Sequence, residues 1–568
     1  MPDLERGCKL PRMPSRLVLL ALLLTAAACS RAPHYDLIIR NGTVVDGSGV
    51  AGVAADVAVQ GQRVAAVGAL GGATAATEVD AQDLTVAPGF INMLSHSETS
   101  LIADGRSVGE LKQGVTLEVF GEGSMGPMND RMKAEAKARQ SDITFDIGWT
   151  TLGQYLDWLA ARRISPNIAS FVGAATVRVH ELGYADRAPA LDELDRMRAH
   201  VKTAMEEGAM GVSSALIYAP GFYAKTDELI ALSSVAAQHG GMYVSHMRSE
   251  GNRLVEAVDE LMTIAREAKI RAEIYHLKAA GESNWSKLDE VIRRVEAARA
   301  TGLEITADMY TYTAGSTGLD AAMPPWVQEG GYQAWAGRLK DPAIRAKVAS
   351  EMVTPTDTWE NLMLAAGAKG TLLVGFRNPA MRGLIGQTLE QVAAARKKSP
   401  QETAMDLVIE DGSRVQVVYF LMSEENTRRQ AGLPWVSFGS DAASLATEGV
   451  FLKQSTHPRA YGNFARLLGK YVRDEKATTL EDAIRRLTSF PASTLRIPDR
   501  GLLKAGHFAD IVAFDAATIA DHATYETPHQ YATGMKHVWV NGTQVLKDGE
   551  HTGAKPGQVV RGPGYKGR

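Results

Sequence analysis

An α/β fold, a (β/α)8 TIM barrel carrying an inserted lobe, is the class this sequence predicts, and three observations predict it. From about Pro88 to Pro491, short apolar runs alternate with Ala/Glu/Arg-rich amphipathic stretches, the pattern of βα units around a parallel sheet. That span exceeds the ~250 residues a barrel uses, so the roughly 110 residues between Asp320 and Pro434 are surplus and form an inserted lobe, 320–433. Both chain ends, outside this region, are β-rich and punctuated by Asn-Gly and Gly-Gln turns.

Composition fits such a chain and excludes others. With 568 residues, 45% hydrophobic and 22% charged, it can bury a large core, and it is neither disordered nor collagen-like. Sixty-one Lys and Arg against 65 Asp and Glu give a net charge of -4, too even for an electrostatic nucleic-acid binder. Cys8 and Cys29 are the only cysteines, so the body has no disulfide and no thiolate.

The elements follow in order. Arg12 and Arg16 precede an apolar run that starts at Leu17 and leads into Ala26-Ala27-Ala28-Cys29, a basic, apolar, small-residue order typical of an export signal. From Leu17 to Ala28 it has 12 residues, against the roughly 20 needed to span a bilayer. The alanines before Cys29 resemble a bacterial lipobox, which makes residues 1–29 a signal, Cys29 the lipidated mature N-terminus, and the location the periplasm or a membrane-anchored surface. Cleavage without lipidation and an uncleaved anchor are the alternatives, and Met13 is an alternative start. Residues 36–47 and 55–64 then read as strands, as do 507–515 and 537–542 near the C-terminus.

Barrel chemistry gathers where strands end. Strand one, 86–96, ends in His96; strand two, 116–123, carries Glu122 beside its end. Strand five, 242–250, bears His246, and strand six, 272–278, bears His276 and Lys278. Strand seven, 305–316, carries Tyr310 and Ser316, and strand eight, 435–441, ends in Asp441. An isolated histidine at a strand end is more often a hydrogen-bonded residue than a ligand. Two of them with an aspartate on neighbouring strands point to a metal. Alternation along strand six would place His276 and Lys278 on one face, giving a fixed cation beside a ligand.

Six segments in this order carry a family resemblance: Pro88-Gly89-Phe90-Ile91, Ser245-His246-Met247-Arg248-Ser249-Glu250-Gly251, His276-Leu277-Lys278, Tyr310-Thr311-Tyr312-Thr313-Ala314-Gly315-Ser316, Gly439-Ser440-Asp441 and His457-Pro458-Arg459-Ala460-Tyr461-Gly462. The chain resembles the amidohydrolase superfamily, and within it the D-aminoacylase or N-acyl-D-amino-acid deacylase group. The resemblance implies a composite β-sandwich from 36–87 and 497–560 beside a barrel from 88–319 and 434–496. It implies zinc on His246 and His276, Asp441 as catalytic acid/base, and Lys278, Tyr310 and Ser316 receiving the carboxylate and acyl region of a small N-acyl amino acid. Arg248 or Arg377 would supply a second charge, and His457-Pro458-Arg459 reads as a rim or packing element.

Two departures shape the expected site. Leu94 stands where relatives carry the first histidine of a His-x-His pair, leaving His96 as a second-metal or substrate contact. The usual second-strand cysteine is missing, and Glu122 is the expected replacement ligand, since a carboxylate oxygen binds zinc at a length close to that of an imidazole nitrogen. Glu118 is its rival. One tightly held zinc on Glu122, His246 and His276, with water in the fourth place, is therefore expected. A cyclic-amide hydrolase of the hydantoinase or dihydropyrimidinase kind would need a carboxylated lysine on strand four, and 208–216 contains no lysine. A ligand-binding surface lipoprotein whose catalysis decayed with Leu94 is the non-enzymatic alternative, opposed by the retention of His246, His276 and Asp441.

Overall fold

Runs rich in Val, Ile and Ala near the N-terminus build an antiparallel meander of His34–Val44, Val53–Gln60 and Arg63–Gly68. The computed structural model describes residues 33–567, so Cys8, Cys29 and the export segment lie outside the described residues. Thr85–Pro88 runs parallel to the first strand and antiparallel to Ile511–Phe514, which continues into Met535–Val540, Thr543–Lys547 and Glu550–His551. With Thr74–Asp80 paired to the first strand, both chain ends share one nine-stranded sheet. That sheet folds over itself, Arg63 bridging Phe508, and closes around Ile39, Val57, Val86, Ile511 and Trp539.

The expected first barrel strand, 86–96, is split in two. Thr85–Pro88 belongs to the terminal sheet, and Phe90–Ser95 opens the barrel. Gly89 is the pivot, and a Cβ there would lie 2.1 Å from Thr116 Oγ1. Only glycine lets the backbone approach that closely.

Eight parallel strand positions follow: Phe90–Ser95, Val115–Phe120, a third broken at Phe171 into Asn167–Ser170 and Val172–Gly173, then Gly211–Ala215, Met242–His246, Arg271–Ile274, Ile305–Met309 and Val436–Phe438. The broken third strand links the two hydrogen-bonded halves, and a parallel bridge from Ser95 to Ala442 closes the ring. Strands covered on both faces read as continuous apolar runs rather than alternating ones. Val115–Phe120 and Met242–His246 are buried throughout.

The expected seventh strand, 305–316, is also two strands. Ile305–Met309 stays in the barrel, whereas Ala314–Gly318 pairs antiparallel with Gln416–Phe420, itself paired with Thr371–Gly375. The chain turns out at Thr311, whose N–H and hydroxyl are both held by Asn463. The lobe's sheet therefore begins at Ala314, before the expected boundary at 320, and Ser316 belongs to it. Leu319, Val327, Trp335, Leu373, Val408 and Tyr419 give the lobe a core of its own.

Candidate metal centre

The C-terminal ends of the barrel strands and the lobe sheet enclose a cavity of about 490 Å³. His96, Glu122, His246, Lys278, Tyr310, Ser316 and Asp441 all line it. At its floor Glu122 Oε1 lies 2.9 Å from His246 Nδ1 and 3.1 Å from His276 Nε2. Both histidines are buried. Glu122 Oε2 lies 3.8 Å from His96 Nε2, which is 3.1 Å from Asp441 Oδ1. Two three-donor groups, Glu122/His246/His276 and His96/Glu122/Asp441, thus share the Glu122 carboxylate.

The backbone is strained where it presents these groups. Glu122, His276 and Asp441 have φ of 60°, 35° and 48°, a left-handed region that residues with a Cβ seldom occupy. Strand six ends at Ile274, so His276 and Lys278 stand in a loop, and strand alternation does not align them. The loop is fixed because His276 N–H donates to Asp308 Oδ1 at 2.7 Å.

Glu250, in the loop after His246, stands beside both imidazoles and bonds one. Its Oε1 is 2.9 Å from His276 Nδ1, and its Oε2 is 3.6 Å from His246 Nε2, beyond hydrogen-bond length. Lys278 Nζ lies 2.6 Å from Glu250 Oε1 and from His276 Nδ1. Lys278 is therefore a neutralised cation rather than the free carboxylate receptor expected. The lobe secures Glu250, because Glu360 Oε2 accepts the N–H groups of Glu250 and Gly251 at 2.5 and 3.0 Å.

Electrostatics mark a site that draws positive charge. Burial alone would lower His96, yet its hydrogen bond to Asp441 and the Glu122 charge push it up to about 9. Burial and Lys278 oppose the charged form of His276, but Glu250, Asp441 and Glu122 push it up to about 10. Burial works to raise Asp441, and the charges of Arg459 and His276 with the His96 hydrogen bond hold it well below the usual carboxylate range. One carboxylate and two imidazoles converging at 2.9–3.1 Å, with a further carboxylate behind the imidazoles, is a donor set that fits zinc or a similar divalent ion.

Other expectations are corrected. Arg248 pairs with Glu260 at 2.8 Å and donates to the carbonyls of Phe222 and Ala224, away from the cavity lining. Arg377 donates to the carbonyls of Ala138 and Gly412 and is equally absent from it. Two arginines do line the cavity: Arg414, which pairs with Asp320 at 2.8 Å, and Arg459, read from sequence as rim or packing, which stands beside the reactive groups. Arg459 is buried, its Nη1 lies 2.8 Å from Asp441 Oδ2, and its guanidinium sits 4.5 Å from the centre of the Tyr310 ring. Ser316 lines the cavity but donates to the Val417 carbonyl at 2.9 Å. Glu118 is fully buried, accepts from Ser95 and Ser107, and is raised chiefly by burial, so it is no rival ligand. Leu94 lies in the apolar core, and its carbonyl accepts the Asp441 N–H at 2.9 Å.

The chain belongs to the amidohydrolase family, whose model matches residues 77–546. It is 32% identical over 533 residues to a D-aminoacylase of Alcaligenes xylosoxydans xylosoxydans, covering 94% of this chain and 98% of the relative. An N-acyl-D-glutamate deacylase of the same organism is 31% identical, with coverage of 93% and 96%. A solved D-aminoacylase described as having a binuclear metal centre, with one-metal activation and second-metal attenuation, superposes with a TM-score of 0.78 at 31% identity, covering 93% of this chain and all of that one. The Bordetella bronchiseptica N-acyl-D-glutamate deacylase, solved with zinc and a phosphonate inhibitor, gives 0.77 at 28% identity, with the same coverage. A D-hydantoinase at 13% identity and a TM-score of 0.51 shares the fold alone.

Proposed function

We propose that the protein is a zinc-dependent deacylase of N-acyl-D-amino acids. The observation that carries this reading is the convergence of Glu122, His246 and His276 on one point of a cavity that Asp441 also faces. Glu122, His246 and His276 would hold one tight ion, and His96 with Asp441 would contribute to any weaker second one. Bound there, the ion supplies a Lewis-acid charge and lowers the pKa of nearby water.

The chain's own residues do the rest. Asp441 is anionic and able to accept a proton, held by Arg459 on Oδ2 and His96 on Oδ1. It takes the proton of the attacking water and returns it to the amide nitrogen as the amine departs, acting as base and then as acid. Arg459, whose Nε has no hydrogen-bond partner among the described residues, is the cation best placed to receive the substrate's α-carboxylate beside Tyr310. Glu250 orients the His276 imidazole from behind, as carboxylates behind metal-bound histidines commonly do.

The test is the purified protein with zinc, offered N-acetyl-D-amino acids, their L enantiomers, dipeptides and hydantoins. Hydrolysis of the D series, lost together with one equivalent of bound zinc in Glu122→Ala, is the expected result. Activity confined to L substrates or cyclic amides overturns the reading, as does full zinc content in that variant. We also read the chain as exported and lipidated at Cys29; radiolabelled palmitate incorporated by the native chain and absent from Cys29→Ser is the expected outcome.

A further inference from the structure

We propose that His180, Glu181 and His200 form a second type of divalent-metal site, built on the outer helices and separate from the catalytic cavity. None of the three lines that cavity. His180 and Glu181 occupy the last turn of the helix Ala174–Leu182, and His200 sits in the middle of the neighbouring helix Leu191–Glu206. Glu181 Oε1 lies 2.8 Å from His180 Nδ1 and 3.0 Å from His200 Nε2, and the two imidazole rings are 4.2 Å apart between centres.

The centre at Glu122 provides a scale for these distances. There a carboxylate oxygen meets two imidazole nitrogens at 2.9 and 3.1 Å, almost the same separations. Zinc in tetrahedral coordination with bonds of roughly 2.0–2.2 Å needs its donors about 3.4 Å apart, so either cluster admits an ion after an outward shift of a few tenths of an ångström. The outer triad can make that shift. Its two imidazoles are 19% and 27% exposed, so they can move away from the fixed Glu181 carboxylate and water can complete the coordination shell.

The carboxylate is already oriented for the task. Arg196 Nε binds Glu181 Oε2 at 2.6 Å, leaving Oε1 to the histidines. Arg196 and His200 stand four residues apart, so they project from the same face of their helix. Arg196 also holds Asp192 at 2.9 Å, which offsets the charge it places near the site. Two imidazoles with one carboxylate select a borderline ion of the zinc class over magnesium or calcium, which favour all-oxygen shells. Such an ion would clip the two helices of the third βα unit together.

Calorimetric titration of chelator-stripped protein with zinc chloride tests the assignment. The wild-type chain is expected to show one more site than His180→Ala/His200→Ala, which should keep its deacylation rate when saturated with zinc. Thermal melts make the test independent of the catalytic centre: zinc should raise the Tm of Glu122→Ala and should leave that of Glu122→Ala/His180→Ala/His200→Ala unmoved. Equal site numbers in wild type and double variant, or an equal zinc-induced rise in Tm with and without the two histidines, overturns the proposal. If the catalytic reading alone fails, the double variant loses the sole site while Glu122→Ala loses none.

Discussion

Glu250→Gln is the perturbation that probes the centre most directly. The carboxylate is 3% exposed, 2.6 Å from the Lys278 ammonium and 2.9 Å from His276 Nδ1. Burial acts to raise it, and the charges of Lys278, His246 and His276 overcome this and bring it down to about 2. A group depressed that far below the ordinary glutamate value stabilises the native state by about 3 kcal/mol. Its contribution is complete above the unfolded-state pKa, near 4.3, and is lost as pH falls through about 2. Breaking a buried ion pair from one side costs about 3–5 kcal/mol, because the remaining charge is left uncompensated. Chemical denaturation of the chelator-stripped protein at pH 7 should therefore show a loss of about 3–5 kcal/mol in Glu250→Gln. Glu250→Gln/Lys278→Met should recover most of it, since neither charge then remains buried. The same single variant should bind zinc about 10–100-fold more weakly. A loss below about 1 kcal/mol, or penalties that simply add in the double variant, would refute the role given to Glu250.

Further outcomes follow from the same geometry. Asp441→Asn keeps the shape but cannot accept the proton, so kcat should fall by about 10²–10⁴-fold while zinc content stays near that of the wild type; an unchanged kcat assigns the proton transfer elsewhere. Arg459→Met should raise KM for N-acyl-D-amino acids more than for the corresponding primary amides, which lack the α-carboxylate. Arg377→Ala should leave both constants unchanged, because its guanidinium is spent on the Ala138 and Gly412 carbonyls. Steady-state kinetics on the paired substrates separates the two arginines, and equal effects on acid and amide would remove Arg459 from carboxylate recognition.

Much of the architecture is legible in the sequence because strand patterning and turn chemistry are local. The alternation of apolar runs with amphipathic stretches marks the barrel, and His246, His276, Glu122 and Asp441 are legible because barrel strands deliver their terminal residues to one face. Two boundaries are not. Pro88 and Phe90 look like one strand but pair in different sheets, since the close contact of Gly89 with Thr116 is a tertiary fact. Ser316 likewise leaves the barrel because Asn463, more than 100 positions away in the chain, captures Thr311.

Residue types and their order determine the family of this protein, the barrel and the candidate donors of its metal centre. What only the tertiary structure decides is the partner of each charge. Lys278 lies beside Glu250 and is neutralised, Arg248 and Arg377 are consumed by distant carbonyls and carboxylates, and Arg459 comes to rest against Asp441. Burial makes such pairings strong, but loops remote in sequence set them, so no local pattern encodes them.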